Sequence, residues 1–289
     1  MTVFLNGKFM PMEEAKVPVL DRGFIFGDGI YELVPVYSRA PFRIEGHLAR
    51  MERSLSEVKI PNPYSRDEWT SLIEQLIEKQ SFDDQGVYWQ ITRGVAKRDH
   101  SFPKGVAPTV FMMSNPLVNP SGEVIENGSK AVTSEDFRWH RCDLKTISLI
   151  GNCMLRQLSF EEDAIETLLL REGKLTEASA SNAYIVKNGV IATPPKDHHI
   201  LPGITLDVVF DIVKRAQMQM EVREITEAQM RGADELWVTS SSKEIVAIVE
   251  LDGKPIGTGR PGPVFRKAWQ HYQDFKNEVM RARQHMRAA

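Results

Sequence analysis

The chain has 289 residues, 42% of them hydrophobic and 26% charged, a balance typical of soluble globular proteins. This length fits two domains of average size, and it allows a core large enough to need neither disulfides nor a structural metal. The formal net charge of −3 does not suggest a nucleic-acid partner. Arg281, Arg283, His285 and Arg287 form a basic run that is typical of a solvated, fraying helix end.

Compartment is indicated by the N-terminus and by the cysteines. The first residues lack the basic segment and long apolar core of a signal peptide, and no apolar run approaches the ~20 residues that span a bilayer. Cys142 and Cys153 are the only cysteines, without CxxC spacing and without neighbouring zinc ligands. We therefore expect a reduced, cytoplasmic protein with no membrane partner and no metal site.

The first part of the chain predicts a hairpin, two helices and two strands. Asn6-Gly7 between two apolar runs is a strong hairpin signal. Apolar residues at helical spacing predict helices around residues 48–58 and 69–77, and apolar runs at 86–94 and 108–113 predict strands. The prolines and asparagines between Asn115 and Gly122 predict an interdomain connection.

The second part predicts more strands than helices. Strands are expected at Lys130–Thr133, Ile165–Leu170, Ala183–Val186 and Leu236–Ser240, with a hairpin at Lys187-Asn188-Gly189 and helices from Thr205 to Gln217 and after Pro263. Mixed order without strict strand–helix–strand alternation favours an α+β fold over a doubly wound sheet. We expect a first domain over residues 1–116, a linker over 117–122 and a second domain over 123–289.

Several residues could bind a small anion, and each also has an ordinary structural explanation. Gly203, Ile204 and Thr205 begin a helix whose free N–H groups could hold a phosphate, although a simple helix cap gives the same pattern. Ser240 and Ser241 end a strand and offer further donors, or they form a polar loop.

Two basic residues are equally ambiguous. Arg50 lies three residues after His47 on one helix face, where it could bind phosphate or extend into solvent. Lys145 lies within the apolar stretch RCDLKTISLI, which fits either a lysine at a strand edge or an amine that is buried for chemistry. If the amine is buried, Ile147, Leu149 and Ile150 are expected to anchor the stretch in the core.

One segment carries a family resemblance. LTEASASNAYIV, with TPP and LPGIT downstream, resembles the signature of the class IV pyridoxal-phosphate aminotransferases. The match continues in four further segments: DRGFIFGDGIYE (Asp21–Glu32), TRGVAKRDHSFP (Thr92–Pro103), RWHRCDLKTISL (Arg138–Leu149) and ELWVTSSSKEI (Glu235–Ile245). Separate motifs in the right order over nearly the whole chain make the resemblance specific.

The resemblance implies fold type IV, with a small N-terminal α/β domain and a larger C-terminal pseudo-barrel domain. It implies pyridoxal 5'-phosphate as cofactor, held as a Schiff base by Lys145, which would also move the substrate proton. Glu177 would face the pyridine nitrogen and Leu201 would pack against the ring. The phosphate would be bound by Arg50, Ile204, Thr205, Ser240 and Ser241. A departure is Leu206, where the family often has a basic residue, and this puts local packing or a surface contact in doubt.

The resemblance also bears on substrate and assembly. Arg98 and His100, with Tyr31, match the residues that bind the substrate carboxylate in D-amino-acid aminotransferases, although a charge run such as AKRDH is usually just a solvated loop. In that family the neighbouring subunit supplies this loop, which implies a homodimer with shared active sites. Asp21, Arg22 and Glu32 are expected to support the site, and Phe24, Phe26, Trp89 and Trp139 to lie in the core or an interface.

The expected reaction is a ping-pong transfer of the amino group from a D-amino acid such as D-alanine to a 2-oxo acid such as 2-oxoglutarate. A branched-chain L-aminotransferase, an (R)-amine transaminase and an aminodeoxychorismate lyase share the fold and remain open. An alternative outside the enzymes is a degenerate family member that serves only as a structural dimer. Intact Lys145 and Glu177 argue against it.

Overall fold

The computed structural model describes residues 1–281, and it confirms the expected α+β fold. The helices are α1 Arg22–Phe26, α2 Ile44–Glu57, α3 Arg66–Glu78, α4 Gly122–Asn127, α5 Ile150–Glu161, α6 Ile204–Arg215, α7 Glu227–Arg231 and α8 Pro263–Phe275. The strands are β1 Thr2–Leu5, β2 Lys8–Pro11, β3 Gly29–Tyr37, β4 Ala40–Pro41, β5 Gln85–Thr92, β6 Thr109–Pro116, β7 Ser129–Glu135, β8 Glu166–Arg171, β9 Lys174–Ala178, β10 Asn182–Lys187, β11 Val190–Thr193, β12 Met220–Val222, β13 Glu235–Ser240, β14 Glu244–Leu251 and β15 Lys254–Pro255. None of these helices is long and apolar enough to cross a membrane.

The chain divides into two compact units. Among the described residues, the first comprises Met1–Leu117, Leu144–Leu149 and residues 280–281, and the second comprises Val118–Asp143 and Ile150–Val279. Lys145 therefore belongs to the first unit, although it follows part of the second in sequence. The linear domain boundaries expected from the sequence stay a prediction.

The first unit is built on a six-stranded antiparallel sheet in the order β2-β1-β6-β5-β3-β4. The hairpin predicted at Asn6-Gly7 is confirmed, and both residues have the positive φ angles that such a turn needs. Helices α2 and α3 place their apolar faces in the core around Trp69 and Trp89, which are fully buried. Helix α3 begins with a Ser65–Glu68 capping box, which satisfies two N–H groups at its start.

Strand β3 was not predicted, although it is the longest strand of this sheet. Its sequence GIYELVPVY contains Pro35 and shows no period of two, because residues on both faces are buried. A strand that is buried on both faces can still be predicted from a continuous apolar run, but Glu32 and Pro35 interrupt such a run here.

The second unit contains a nine-stranded mixed sheet. Its order is β12-β11-β10-β13-β14-β7-β8-β9, with β15 paired to β14. Only Ser179–Ser181 separates β9, at one end of this order, from β10, near the other, so the sheet must curl back on itself. The four strands predicted here and the hairpin after β10 are confirmed.

Two expectations about apolar and basic residues were wrong. Ile150 does not anchor Lys145 in the core, since it begins α5 with 76% of its surface exposed, while Ile147 and Leu149 are only half-buried. Arg281 is not a solvated helix end, because its guanidinium pairs with Asp84 at 2.5 Å; Arg283, His285 and Arg287 lie outside the described residues.

Candidate active site

Lys145 is held against the start of β3 by its own backbone. Its carbonyl accepts a hydrogen bond of 2.9 Å from the Tyr31 N–H, and the Ile147 N–H donates to the Gly29 carbonyl at 3.0 Å. Gly29 permits this approach, since an added Cβ would meet the Ile147 side chain at 2.9 Å. The Nζ atom lies 4.1 Å from the centroid of the Tyr31 ring, so the two predicted residues are brought together. The lysine is half-buried.

The Arg50 side chain is part of a buried ionic cluster. Its Nε and Nη2 atoms each donate to a different oxygen of Glu32 at 2.8 Å, and His47 Nδ1 lies 2.8 Å from the same carboxylate. Burial acts to raise the pKa of Glu32, but the charge and hydrogen bonds of Arg50 hold it well below its usual value. This two-pronged pair fixes the plane of the Arg50 guanidinium. The supporting role expected of Glu32 stays a prediction.

The other end of the His47 ring is unusual. Its Nε2 atom is buried without a hydrogen-bond partner among the described residues. Burial lowers the pKa of His47, although Glu32 opposes this shift, so the ring is held neutral.

The loop that carries Arg98 and His100 is held by a buried arginine. Arg22 donates to the carbonyl of Asp99 at 2.5 Å and to that of His100 at 3.4 Å, while its Nε pairs with Asp28 at 2.7 Å. The side chains of Arg98 and His100 are exposed. The backbone of the loop is thus fixed while these two side chains remain available.

Phe26 forms the apolar surface beneath this loop. The Arg98 guanidinium lies 5.3 Å from the centroid of the Phe26 ring, and the His100 ring lies 5.5 Å from it. Within the described part of the chain, no hydrogen bond, ion pair or ring contact joins Arg98 or His100 to Lys145 or Tyr31. The predicted carboxylate-binding set is therefore not assembled by local contacts of one chain.

In the second unit, Glu177 is buried and almost saturated with hydrogen bonds. Its Oε1 accepts from Arg138 Nη1 at 2.7 Å, and its Oε2 accepts from the Leu201 N–H at 3.1 Å and from Asn182 Nδ2 at 3.2 Å. A carboxylate offers about four lone-pair directions, two on each oxygen. Among the residues that the structure describes, one direction on Oε1 therefore remains open for a further donor.

Burial raises the pKa of Glu177 to about 7, although the charge and hydrogen bond of Arg138 act against the shift. Arg138 is in turn held by Asp136, which pairs with its Nε at 2.9 Å and its Nη2 at 3.0 Å. Arg138 lay within a quoted motif but was given no role in the sequence analysis. Its role depends on the position of Glu177, which is remote in sequence.

The start of α6 is an uncapped helix N-terminus. Gly203 occupies the N-cap position and provides no side-chain cap, while Ile204 and Thr205 in the first turn are buried. Asn182 links Glu177 to the segment that precedes α6, because its Nδ2 donates both to Glu177 and, at 2.9 Å, to the Leu201 carbonyl. Leu206, the departure from the family pattern, is fully buried, so an apolar side chain fills a core position there.

The turn that contains Ser240 and Ser241 is held by Lys243. Ser240 Oγ accepts from the Lys243 N–H at 3.1 Å, and Lys243 Nζ reaches the buried Glu166 carboxylate at 2.9 Å. Glu166 also accepts from the hydroxyls of Ser179 and Ser181, at 2.5 and 2.6 Å. The serine turn and the turn between β9 and β10 therefore share one buried carboxylate. Neither Glu166 nor Lys243 was predicted from the sequence as a site residue.

Comparison with known proteins agrees with these features. The model of the family amino-transferase class IV matches residues 29–251. A D-alanine aminotransferase of Bacillus licheniformis is 37% identical over 91% of this chain and 93% of its own length, and one of Staphylococcus aureus (strain MW2) is 38% identical over 94% and 97%.

Solved structures give the same family. The branched-chain aminotransferase of the thermophilic archaeon Thermoproteus uzoniensis, solved with norvaline, is 26% identical, with a TM-score of 0.87 over 97% of each chain. A second branched-chain amino acid aminotransferase, solved with pyridoxamine 5'-phosphate, is 25% identical, with a TM-score of 0.88 over 94% of this chain and 93% of its own. The chain is a class IV aminotransferase of fold type IV.

Proposed function

We propose that this enzyme is a pyridoxal-phosphate-dependent transaminase that moves the amino group of a D-amino acid, such as D-alanine, to a 2-oxo acid, such as 2-oxoglutarate. The observation that carries this proposal is the identity of 37–38% to D-alanine aminotransferases over at least 91% of the chain. Arg98 and His100, to which the resemblance assigns the substrate carboxylate, are both exposed.

The donor chemistry of the second unit fits pyridoxal phosphate. The open lone pair on Glu177 Oε1 suits a protonated pyridine nitrogen, since a charge-assisted hydrogen bond keeps that proton in place. The uncapped N-terminus of α6 at Ile204 and Thr205, with the hydroxyls of Ser240 and Ser241, suits the phosphate. Leu201, whose N–H is already bonded to Glu177, suits the face of the ring.

Residues of the first unit supply the remaining functions in this proposal. Bound pyridoxal phosphate draws off the electron pair that is released at the substrate Cα. Lys145 would hold the cofactor covalently through its amine and, once displaced, would move the proton at that Cα. Tyr31 would keep the amine in place, because its ring lies 4.1 Å from Nζ. Arg50, oriented by Glu32, would add a fixed positive charge for the phosphate.

A homodimer with shared active sites completes the proposal. Exposed apolar side chains support it: Ile150, Met154 and Leu158 recur every four residues along α5, where a monomer would leave them in water. In the first unit Phe24 is 76% exposed on α1, the helix whose Arg22 donates to the carbonyls of Asp99 and His100. Loop residues that serve the neighbouring chain would also explain why Arg98 and His100 do not contact Tyr31 of their own chain.

Mixed dimers test the sharing. Lys145→Ala and Arg98→Ala chains are purified separately, each of low activity, then unfolded, mixed and refolded together. If the loop acts in the neighbouring site, half of the dimers are hybrids with one intact site, and roughly a quarter of wild-type activity returns. If the mixture stays as inactive as its components while wild type refolds fully under the same conditions, the sharing is refuted.

A branched-chain L-aminotransferase is the second candidate, because the similar solved structures carry that name. D-alanine, L-alanine and L-leucine are compared as amino donors, with 2-oxoglutarate as the acceptor in each case. Formation of pyruvate or glutamate is the readout. We expect kcat/KM for D-alanine to exceed that for L-leucine, and the reverse order would replace the proposed substrate class. A colourless protein that takes up no pyridoxal phosphate would refute the cofactor as well.

We propose the cytoplasm as the compartment, and the thiols support this. Cys142 and Cys153 are both free, and a reducing environment such as the cytoplasm would keep them so.

A further inference from the structure

Three histidines of the second unit converge although they are far apart in sequence. His140 follows Trp139 in the segment that carries Arg138, whereas His198 and His199 lie just before Leu201. One ring nitrogen from each residue lies within 4.8 Å of the others. We call these three residues the histidine cluster.

We propose that the histidine cluster is a binding site for a divalent transition metal of the zinc type. Imidazole is a favoured ligand for Zn²⁺, Ni²⁺ and Cu²⁺, and the cluster contains no carboxylate, so Mg²⁺ and Ca²⁺ are disfavoured. Three protein nitrogens and water make a common four-coordinate arrangement for zinc.

The geometry needs only a small adjustment. Two nitrogens bound to one zinc at about 2.0–2.1 Å lie about 3.3 Å apart in a tetrahedral site. Since the three nitrogens lie within 4.8 Å of one another, they must approach by at most roughly 1.5 Å. His140 and His198 are exposed, so rotation of their side chains can close this gap without moving the core.

The backbone already holds the two segments together. The Cys142 N–H donates to the His198 carbonyl at 2.9 Å, and Arg138 Nη2 donates to the His199 carbonyl at 3.3 Å. Since these bonds position the histidines before any metal arrives, the entropy lost on binding is smaller than for a flexible loop.

Neighbouring groups set the orientation of the rings. His199 Nδ1 lies 3.4 Å from an oxygen of Asp197, and a carboxylate behind one ring nitrogen leaves the other available for the metal. Arg171 Nη1 donates to His140 Nδ1 at 3.3 Å, so a metal at this nitrogen would displace the guanidinium. Arg171 would then keep Asp136, 3.1 Å away, as its partner.

A metal here would act as a tether. The segment of His140 carries Arg138, and the segment of His198 and His199 leads to Leu201; both Arg138 and Leu201 donate to Glu177. Linking the two segments would stabilise the second unit around Glu177, and the melting temperature would rise as the site fills.

Calorimetry with zinc chloride tests the proposal on untagged, chelator-treated holoenzyme. A Cys153→Ser background is used throughout, because an exposed thiol can bind zinc by itself. We expect one equivalent of Zn²⁺ to bind, and His140→Ala and His198→Ala each to weaken the affinity at least ~10-fold. His271→Ala on α8, outside the cluster, is the matched control and should bind as the parent does.

Cobalt gives an independent readout of geometry, since Co²⁺ bound to the three rings should produce visible absorption bands that His140→Ala abolishes. Mg²⁺ should neither bind nor raise the melting temperature. The proposal is overturned if His140→Ala binds zinc as tightly as the parent, or if no saturable binding occurs up to ~100 μM zinc.

Discussion

Replacing Glu177 with glutamine is the most informative perturbation of the proposed cofactor site, because it preserves the size of the side chain and removes its charge. The carboxylate accepts three hydrogen bonds, and its fourth direction is open. A glutamine has one oxygen and one NH2 group, so its oxygen can face Arg138 or the Leu201 N–H, but not both. One amide N–H must then face another donor.

Two magnitudes follow. The mismatched buried donor should lower the free energy of unfolding by about 1–3 kcal/mol. Arg138 keeps Asp136 as a partner, which limits this loss. A hydrogen bond to a charged group contributes about 1.5–3 kcal/mol, so losing the ionic partner of the ring nitrogen should slow the chemical step by about 10- to 150-fold.

The assay is single-turnover conversion of D-alanine by enzyme loaded with pyridoxal phosphate, so that product release does not mask chemistry. Glu162→Gln, an exposed glutamate after α5, is the control for charge removal alone. If Glu177→Gln stays folded and fully loaded yet retains a rate within about twofold of wild type, Glu177 does not face the ring nitrogen.

A pH series separates the electrostatic cause from a packing defect. Burial raises the pKa of Glu177 to about 7, from an ordinary value of 4.5, so in cofactor-free protein the native state takes up a proton within this window. As the pH rises from 4.5 to 7, the free energy of unfolding of wild type should fall relative to that of Glu177→Gln. Above pH 7 the difference between the two proteins should level off. A difference that is constant with pH would contradict the proposed environment.

The remaining predictions concern both units. Arg98→Ala should lower kcat/KM for D-alanine by about 10- to 150-fold, mainly through KM, while the neighbouring Lys97→Ala changes it little; equal effects would remove Arg98 from carboxylate binding. Lys243→Met leaves the Glu166 carboxylate with its two serine donors alone. It should lower the free energy of unfolding, measured in urea, by about 3–5 kcal/mol, and adding Glu166→Gln to the same chain should restore part of this loss. Because the pKa of Glu32 is lowered from 4.5, the stability advantage of wild type over Glu32→Gln should shrink as the pH falls below that value, and an advantage unchanged by acid would contradict the buried ion pair.

Local pattern was enough for the elements that turn residues or a clear period in the sequence mark. The Asn6-Gly7 hairpin, α2, α3, α6 and the alternating strand β5 were all predicted, because turn chemistry and periodicity are encoded within a few residues. Strand β3 and helix α5 were not predicted. Strand β3 is covered on both faces, and α5 exposes Ile150, Met154 and Leu158, so neither shows the expected polar side.

The candidate site likewise contains residues that the sequence identified and partners that only the structure shows. Motif order identified Lys145 and Glu177 as candidates, since their roles depend on residue type and on position within a signature. The partners that tune them were not found: Arg138 and Leu201 on Glu177, and Lys243 on Glu166. These pairings join residues far apart in the chain, and no short-range pattern specifies them.

The sequence by itself determined the α+β class and the aminotransferase family, and it supplied the candidates for the residues that carry the chemistry. Tertiary structure decided that Lys145 belongs to the first unit beside Tyr31, that one lone pair of Glu177 stays open, and that three distant histidines meet. The physical reason is that hydrogen-bond saturation, burial and the resulting pKa depend on every group within a few ångströms. Only the folded chain brings these groups together.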